Sequence, residues 1–145
     1  GVEFEIAYRP SEYWSIHANM SLIDAQYDDY IDNSSGVPVS RAGNVPTDVP
    51  EKLANLWLSW RPNGLWRSGL GVHYVAERAA NRDNTVFMDS YTTVDAYIGR
   101  QVGPGELTLH LRNISDEVYA NHSYGDGQFM LGEPRGFTLG WYAKY

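Results

Sequence analysis

Arginine and ring side chains in three polar segments are the residues of this chain best suited to hold a ligand. A guanidinium group presents a planar fork of N–H donors that matches an anionic group. Rings of histidine, tyrosine and phenylalanine add amphipathic contact surface. The candidates for ligand contact are Arg41, Arg78, Arg82, His122, Tyr124 and Phe129. These side chains bind rather than react, so they point to recognition of a ligand.

Patterns of catalytic and metal-binding residues are missing from the sequence. No Gly-x-Ser-x-Gly motif occurs, and no Ser/His/Asp arrangement is evident from the spacing. His17, His73 and His110 lack the spacing of metal ligands. Gly69-Leu70-Gly71 lacks the third glycine and the following helix of a nucleotide-binding loop. The sequence therefore predicts no enzyme activity, no metal site and no cofactor.

The charge of the chain argues against a nucleic-acid partner. The chain of 145 residues carries 11 basic and 18 acidic side chains, a net charge of -7, and no basic cluster long enough to follow phosphates. We therefore expect no nucleic-acid partner. The acidic run Asp24, Asp28, Asp29 and Asp32 matches no calcium loop, so we interpret it as a solvated loop. The absence of cysteine fits a protein that crosses an oxidising compartment without disulfides.

Alternation of apolar and polar residues runs through most of the chain and predicts about seven β-strands and no helix. The last stretch shows it best, because Phe137, Leu139 and Trp141 alternate with smaller or polar residues. The opposite face of the strands is rich in charged and polar residues, with Trp57 as an exception. A small dry core would not accept so many polar groups, whereas a water-containing lumen would. No apolar run is long enough for a transmembrane helix.

The connections alternate between short and long. Tight turns are predicted at residues 9–11, 62–64 and 103–105, and long polar loops at about residues 28–48, 78–90 and 121–133. Tryptophan and tyrosine cluster toward both ends of the predicted strands, as in the aromatic belts of membrane proteins. Short turns at one end and long loops at the other are typical of outer-membrane barrels. We therefore predict an all-β, antiparallel, up-and-down segment of a transmembrane β-barrel.

Five segments, in order and at matching spacing, resemble the barrel of TonB-dependent outer-membrane receptors, most closely the ferric-siderophore branch. The segments are GNVPTDVPEKLANLW (43–57), GLGVHYVAER (69–78), SYTTVDA (90–96), LRNISDEVY (111–119) and GEPRGF (132–137). Each is weak alone, but together they span almost the whole chain. The chain departs from the usual family pattern in ending on Tyr145 rather than phenylalanine and in having Ala143 at the preceding outward position.

The resemblance implies the C-terminal part of a barrel of about 22 strands, with residues 1–145 supplying roughly the last seven. The plug domain, the TonB-contacting segment and the earlier strands would lie outside this chain. The implied function is binding and active import of a ferric siderophore or similar scarce nutrient across the outer membrane of a Gram-negative bacterium. The implied partners are membrane lipid and lipopolysaccharide, the ferric chelate, TonB and the barrel assembly machinery.

Other functions stay open from the residues. A passive porin would share the strand pattern, and a receptor of this kind could import a non-iron ligand such as cobalamin or a sugar. An outer-membrane hydrolase would need a Ser/His pair that the sequence does not place. A soluble lipocalin-like binder would need a wet outer face, which the apolar ladders contradict.

Some motif residues have expected structural roles. Asn113 and Asp116 are expected to fix the chain as it leaves a strand, by side-chain bonds to nearby backbone amides. Arg135 is expected to pair with Asp95 or Asp116 at the rim. By resemblance, the closing strand carries the signal by which such barrels are recognised for insertion. The residues of that signal are Phe137, Gly140, Trp141 and Tyr145.

Overall fold

The computed structural model describes residues 1–125 and 127–143. Thirteen strands occur in these residues, and none of the described residues is helical. The seven long strands are β1 (Val2–Ser11), β2 (Trp14–Leu22), β5 (Lys52–Asn63), β6 (Trp66–Val75), β9 (Tyr91–Val102), β10 (Gly105–Arg112) and β13 (Gly136–Ala143). The short strands are β3 (Ile31–Asp32), β4 (Val39–Ser40), β7 (Arg78–Ala79), β8 (Phe87–Met88), β11 (Ala120–Ser123) and β12 (Phe129–Leu131).

The seven long strands form one antiparallel sheet in the order β1-β2-β5-β6-β9-β10-β13. Each strand pairs with its neighbour along the chain once the short hairpins are set aside, so the up-and-down prediction is confirmed. Short turns join β1 to β2, β5 to β6 and β9 to β10 at one end of the sheet, called the short-turn end. Three long loops, residues 23–51, 76–90 and 113–135, lie at the other, called the loop end.

The first predicted turn, 9–11, is wrong in position, and the second, 62–64, overlaps the observed turn only at Gly64. Strand β1 continues through Pro10 to Ser11, and β5 continues through Pro62 to Asn63. The pairing register shifts between Tyr8 and Ser11, and again in β5 just before Asn63. Proline cannot donate a ladder hydrogen bond, so a strand tolerates it at such an irregularity. The sharp turns therefore lie two or three residues later than the prolines suggested.

The registers place every apolar ladder on one face of the sheet. Leu109 pairs with Ile98 on one side and with Leu139 on the other, so the three side chains point the same way. This outward face is bare in the chain as it stands: Phe4 is 57% exposed and Phe137 is 75% exposed. The opposite, inward face carries the polar residues. A period of two residues explains both faces, since successive side chains of a strand point to opposite sides.

The closed core of the described chain lies at the loop end. The buried apolar residues are Val75, Ala79, Ala80, Met88 and Tyr91, all in the second loop or at the strand ends that flank it. In the described part of the chain, no second layer packs against the face of the seven-stranded sheet. The loops therefore pack on one another and form the most enclosed part of the molecule. None of the described residues forms a helix long and apolar enough to cross a membrane.

Candidate ligand-binding groove at the loop end

Each long loop carries a short hairpin, and the three loops meet. The hairpins are β3–β4, β7–β8 and β11–β12. The hydroxyl of Ser123 in the third loop donates to the carbonyl of Ala80 in the second at 2.6 Å, and its amide donates to Asp48 of the first at 3.2 Å. The amide of Asp48 in turn donates to the carbonyl of Ala79 at 3.0 Å. These contacts join the three loops into one cap.

Asn84 ties the second loop to the first. Its Oδ1 accepts from the amide of Val45 at 2.7 Å, and its Nδ2 donates to the carbonyl of Val45 at 3.0 Å. The backbone of Asn84 is left-handed, with φ of 53°. Asparagine tolerates that conformation better than most residues. Neither Asn84 nor Asp48 was singled out from the sequence, because each acts on a loop that is distant along the chain.

Arg78 lies beneath the cap, with its side chain 4% exposed. Its Nη2 donates to the carbonyls of Ala120 at 2.6 Å and Asn121 at 3.2 Å. Its guanidinium lies over the ring of Tyr91, 5.6 Å from the centroid, and its Nε is 3.9 Å from Asp48. Among the described residues its Nη1 has no hydrogen-bond partner. In this position Arg78 cross-links loops, and its predicted contact with a ligand stays a prediction.

An open groove of about 420 Å³ lies between the three loops. Four of the six predicted ligand contacts line it, namely Arg41, Arg82, His122 and Tyr124. Two of the remaining lining residues are acidic, Asp32 and Asp83. Since the four predicted residues come from all three loops, their grouping depends on how the loops pack. The groove therefore contains cations, carboxylates and ring surface within one concavity.

Asp32 is the centre of charge in this groove. Nη2 of Arg41 lies 3.3 Å from Asp32 Oδ2, and Nη1 of Arg82 lies 3.6 Å from Asp32 Oδ1. Arg41 also pairs with Asp83. The backbone amide of Ser34 donates to Asp32 at 2.9 Å. The nearby Ser34 hydroxyl, this amide and Arg41 lower the pKa of Asp32 from 3.8 to about 2. Asp32 is only 4% exposed. The solvated-loop interpretation thus holds for exposed Asp24, Asp28 and Asp29 and is wrong for Asp32.

Arg41 and Arg82 differ in solvent exposure and in ion pairing. The side chain of Arg41 is 16% exposed and engages two carboxylates. The side chain of Arg82 is 53% exposed, and its pairing with Asp32 is long. A guanidinium that is open to solvent and loosely paired can turn toward an incoming anionic group at small cost. Arg82 is therefore the more exposed and the more loosely paired of the two arginines in the groove.

Ring surface lines the third-loop side of the groove. His122 Nδ1 lies 2.9 Å from Asp48 Oδ2, and its ring meets that of Tyr124 edge-on at 5.0 Å. Tyr124 is 66% exposed, so most of its face is available. Phe129 lies elsewhere, beside a second hollow that is also lined by Phe87 and Tyr119. The structure therefore brings together Arg41, Arg82, His122 and Tyr124, and separates Arg78 and Phe129 from them.

A row of rings crosses the inward face below the loops. Trp57 stacks on Tyr97 with centroids 5.9 Å apart, and Tyr97 stacks on His110 at 5.7 Å. Trp57 lies over Gly69 and Gly71, where a Cβ at Gly71 would overlap its six-membered ring. Sequence reasoning noted Trp57 only as an exception on the polar face. The signal that could have placed it is the pair of inward glycines on the strand alongside.

Asn113 and Asp116 hold the chain where it leaves β10. Both residues have left-handed backbone, with φ of 46° and 57°. Asn113 donates from Nδ2 to the carbonyls of Glu117 at 2.8 Å and Glu133 at 2.9 Å, and its Oδ1 accepts from the amide of Glu117 at 2.9 Å. Arg135 donates to Asp116 from its amide at 3.1 Å and from Nη2 at 3.3 Å. Asp95, the other expected partner of Arg135, accepts from the amide of Asn113.

The expected assembly signal lies on the open edge strand β13. Phe137 and Trp141 point outward and are 75% and 53% exposed. Gly140 lies opposite Thr108, whose Oγ1 would lie 3.0 Å from an added Cβ. Tyr145 lies outside the described residues. The signal function of these four residues stays a prediction. In the described part of the chain, no group of three or more potential ligands is arranged to hold a metal ion.

Comparison with known proteins agrees with this architecture. Residues 1–114 match the family model described as "TonB dependent receptor-like, beta-barrel". The ferrioxamine receptor of Yersinia enterocolitica is 25% identical over 142 residues, covering 93% of this chain and 19% of the relative. The ferrichrome outer membrane transporter/phage receptor of Escherichia coli K12 is 27% identical over 128 residues, covering 82% of this chain and 16% of the relative.

Solved structures show the same fold. The siderophore receptor PiuA from Acinetobacter baumannii superposes with a TM-score of 0.89 at 24% identity, over 99% of this chain and 21% of that one. The ferric yersiniabactin uptake receptor FyuA from Yersinia pestis gives a TM-score of 0.78 at 21% identity, over 99% of this chain and 23% of that one. The chain thus spans about a fifth of the length of the relatives it matches. By the family model, which covers most of its length, the chain belongs to the β-barrel family of TonB-dependent receptors.

Proposed function

We propose that this chain supplies barrel wall and ligand-gathering loops to an outer-membrane receptor that binds a ferric siderophore and imports it with energy delivered through TonB. The groove between the three loops carries the proposal. It brings Arg82, which is loosely paired, into one concavity with the rings of Tyr124 and His122. Family membership supports the transport class. The ferrioxamine and ferrichrome proteins support an iron chelate as the ligand. The cellular location is the outer membrane of a Gram-negative bacterium.

The parts needed for transport extend beyond this segment. Residues 1–145 are proposed to be the C-terminal portion of a barrel of about 22 strands whose lumen is plugged. The plug domain and the TonB-contacting segment would come from elsewhere in the receptor. The outward face would contact membrane lipid and lipopolysaccharide, and the closing strand would be read by the barrel assembly machinery. The receptor moves its ligand without covalent chemistry, so no catalytic role is proposed.

Ligand capture follows from the charges and rings of the groove. Arg41 is already neutralised by Asp32 and Asp83, so it organises the wall of the groove. Arg82 is proposed to donate a charge-assisted bond to an anionic oxygen of the chelate. Tyr124 is proposed to cover an apolar part of the chelate with its exposed ring.

The test measures both the binding of radioactive iron chelates to cells that carry the intact receptor and their uptake by energised cells. Arg82→Gln is expected to weaken chelate binding by a factor of about ten to one hundred, because a hydrogen bond to a charged group contributes about 1.5–3 kcal/mol. Tyr124→Ala is expected to weaken binding by a similar factor through lost ring contact. Arg9→Gln is the matched control, since Arg9 is an exposed arginine near the short-turn end of β1, away from the groove.

Three results would contradict the proposed function. Uptake that persists without an energised inner membrane would identify a passive porin. Import of cobalamin or a sugar, with iron-chelate uptake unchanged by deletion of the receptor, would reject the siderophore as ligand. Equal binding by Arg82→Gln, Tyr124→Ala and the wild type would show that the groove is not the binding site.

A further inference from the structure

The outward face of the sheet carries very little charge. Among the described strand residues, and away from the two register shifts, only Lys52 and Arg100 place a charge on this face. Lys52 begins β5 at the loop end. Arg100 lies two residues from the end of β9 at the short-turn end, about 7 Å along the strand from its last residue. Both charges are positive, and each stands near one end of the apolar face.

Arg100 stands in a row of large side chains that crosses four strands. Trp66 on β6 is paired directly with Arg100, Arg100 with Leu107 on β10, and Leu107 with Trp141 on β13. All four side chains therefore point outward at one level. Tryptophan on the outer wall of a barrel marks the level of the lipid headgroups. A cation stands at that level with a tryptophan on either side of it in the row.

The guanidinium of Arg100 is exposed, and it stacks on a ring. Its central carbon lies 4.9 Å from the centroid of the Trp66 ring. No carboxylate lies within ion-pair distance of it in the described residues, and the nearby Glu106 on the inward face pairs with Arg67. The ring holds the guanidinium by a cation–π contact and leaves its N–H donors free. The free donors face the surroundings of the barrel rather than its lumen.

We propose that Trp66 and Arg100 bind the phosphate of a phospholipid in the membrane leaflet on the short-turn side. The proposal rests on the membrane-spanning wall proposed above. An unpaired guanidinium is costly in hydrocarbon and stable at the headgroup level, where a long side chain reaches it. A phosphate accepts two parallel N–H bonds from arginine. Long loops of such barrels lie outside the cell, so the short-turn end faces the phospholipid of the periplasmic leaflet.

Native mass spectrometry of the intact receptor tests the proposal. The detergent-solubilised receptor is titrated separately with phosphatidylglycerol, with uncharged diacylglycerol and with lipopolysaccharide. Arg100→Gln is expected to reduce retention of phosphatidylglycerol roughly fivefold, the effect of about 1 kcal/mol per cation near a membrane surface. Retention of diacylglycerol should not change. Arg100→Lys should give an intermediate loss, because lysine keeps the charge but not the planar fork.

Arg112→Gln is the matched control, because it removes the same charge from the inward face of β10. It should leave phosphatidylglycerol retention at the wild-type level. Folding of each variant is checked by the change in gel mobility on heating. Chelate uptake by Arg100→Gln should also equal that of the wild type, so failure here and failure of the siderophore proposal are distinguishable.

Three results would overturn the inference. Equal retention of phosphatidylglycerol by Arg100→Gln and wild type would show that the cation binds no phosphate. Equal loss of diacylglycerol would show that the row makes only apolar contact. Loss of lipopolysaccharide in place of phospholipid would show that the row faces the other leaflet.

Discussion

Asp32 differs from Asp24, Asp28 and Asp29, the other members of its acidic run, because it is buried among hydrogen-bond and ion-pair partners. Ser34 donates to it within the hairpin turn, Arg41 reaches it from the end of the paired strand β4, and Arg82 reaches it from the second loop. Asp29, only three residues earlier, is exposed. Aspartates of one acidic run therefore differ in their surroundings: Asp32 is buried and paired, whereas Asp29 is exposed to solvent. Sequence spacing could not separate them, because the partners of Asp32 depend on the fold of the hairpin and on the packing of the second loop.

The first prediction concerns the pH dependence of this carboxylate. The folded pKa of Asp32, about 2, lies below its unfolded value of 3.8. Its contacts therefore stabilise the loop fully above about pH 4, and that contribution is lost as the pH falls through about 2. Asp32→Asn should loosen the first loop already at neutral pH. Hydrogen exchange over residues 23–51, corrected for the intrinsic effect of pH, is the measurement.

Asp29→Asn is the control for this prediction, since it removes an exposed carboxylate from the same loop. It should leave exchange unchanged at every pH. The prediction would be wrong if wild-type exchange rose at pH 5, well above the folded pKa, or if Asp32→Asn matched the wild type at neutral pH.

Arg78 and Arg82 illustrate the same limit of sequence reasoning. They lie four residues apart and look equivalent as candidate cations. In the structure one is buried under the cap and the other is half exposed in the groove. The difference arises because β7 pairs with β8 and folds Arg78 toward Tyr91, whereas Arg82 lies beyond the hairpin strand.

Strands β5 and β6 show how a large residue is accommodated on the lumen side. Trp57 is paired directly with Gly71, and its ring occupies the space where a side chain at Gly71 would begin. Tyr97 on β9 completes the stack. The inward ring thus occupies the space that the glycine leaves free. The glycines of β6 are thus explained by packing against the rings of Trp57 and Tyr97.

The second prediction tests this packing. Gly71→Ala should destabilise the sheet by about 1–3 kcal/mol, because the added methyl overlaps the Trp57 ring and forces it to move. In a Trp57→Ala background the same substitution should cost much less. The difference between the two costs is the coupling of neighbours in contact. Urea unfolding of the intact receptor in detergent gives the four free energies.

Gly136→Ala is a matched control, because the nearest atoms to its added Cβ lie 3.8 Å away. It should change the free energy of unfolding by less than about 0.5 kcal/mol. Strictly additive effects of Gly71→Ala and Trp57→Ala would show that the ring does not occupy this position.

The sheet as assembled has two open edges and one bare apolar face. Strand β1 and strand β13 each pair on one side only, and large side chains such as Leu139, 64% exposed, line the outward face. An unpaired edge presents free N–H and C=O groups, and in lipid each of these is costly. A closed barrel removes both problems. The arrangement therefore fits a segment of wall rather than a self-sufficient domain.

The third prediction follows from this arrangement. The isolated 145-residue chain should aggregate when detergent is withdrawn, while the intact receptor in detergent should remain monodisperse. Light scattering after size-exclusion chromatography is the measurement. A monomeric, stably folded sample of the chain in plain buffer would contradict the membrane placement of the outward face.

Most of the wall could be read from residue order alone. The two faces of each strand follow from a period of two, which is a local property of extended chain, and the order of short and long connections sets the up-and-down topology. The turns predicted at Pro10 and Pro62 begin too early in the chain, because a bulge lets a strand continue through a residue that usually ends it.

The groove, by contrast, depends on tertiary structure. Its walls come from loops separated by dozens of residues, and they meet through contacts such as Ser123 with Ala80 and Asn84 with Val45. Loop residues have no repeating spacing from which their neighbours could be inferred. Side-chain type indicated which residues could bind a ligand. Only the packing of the three loops decided which of them share one concavity, because burial and ion pairing are properties of that contact.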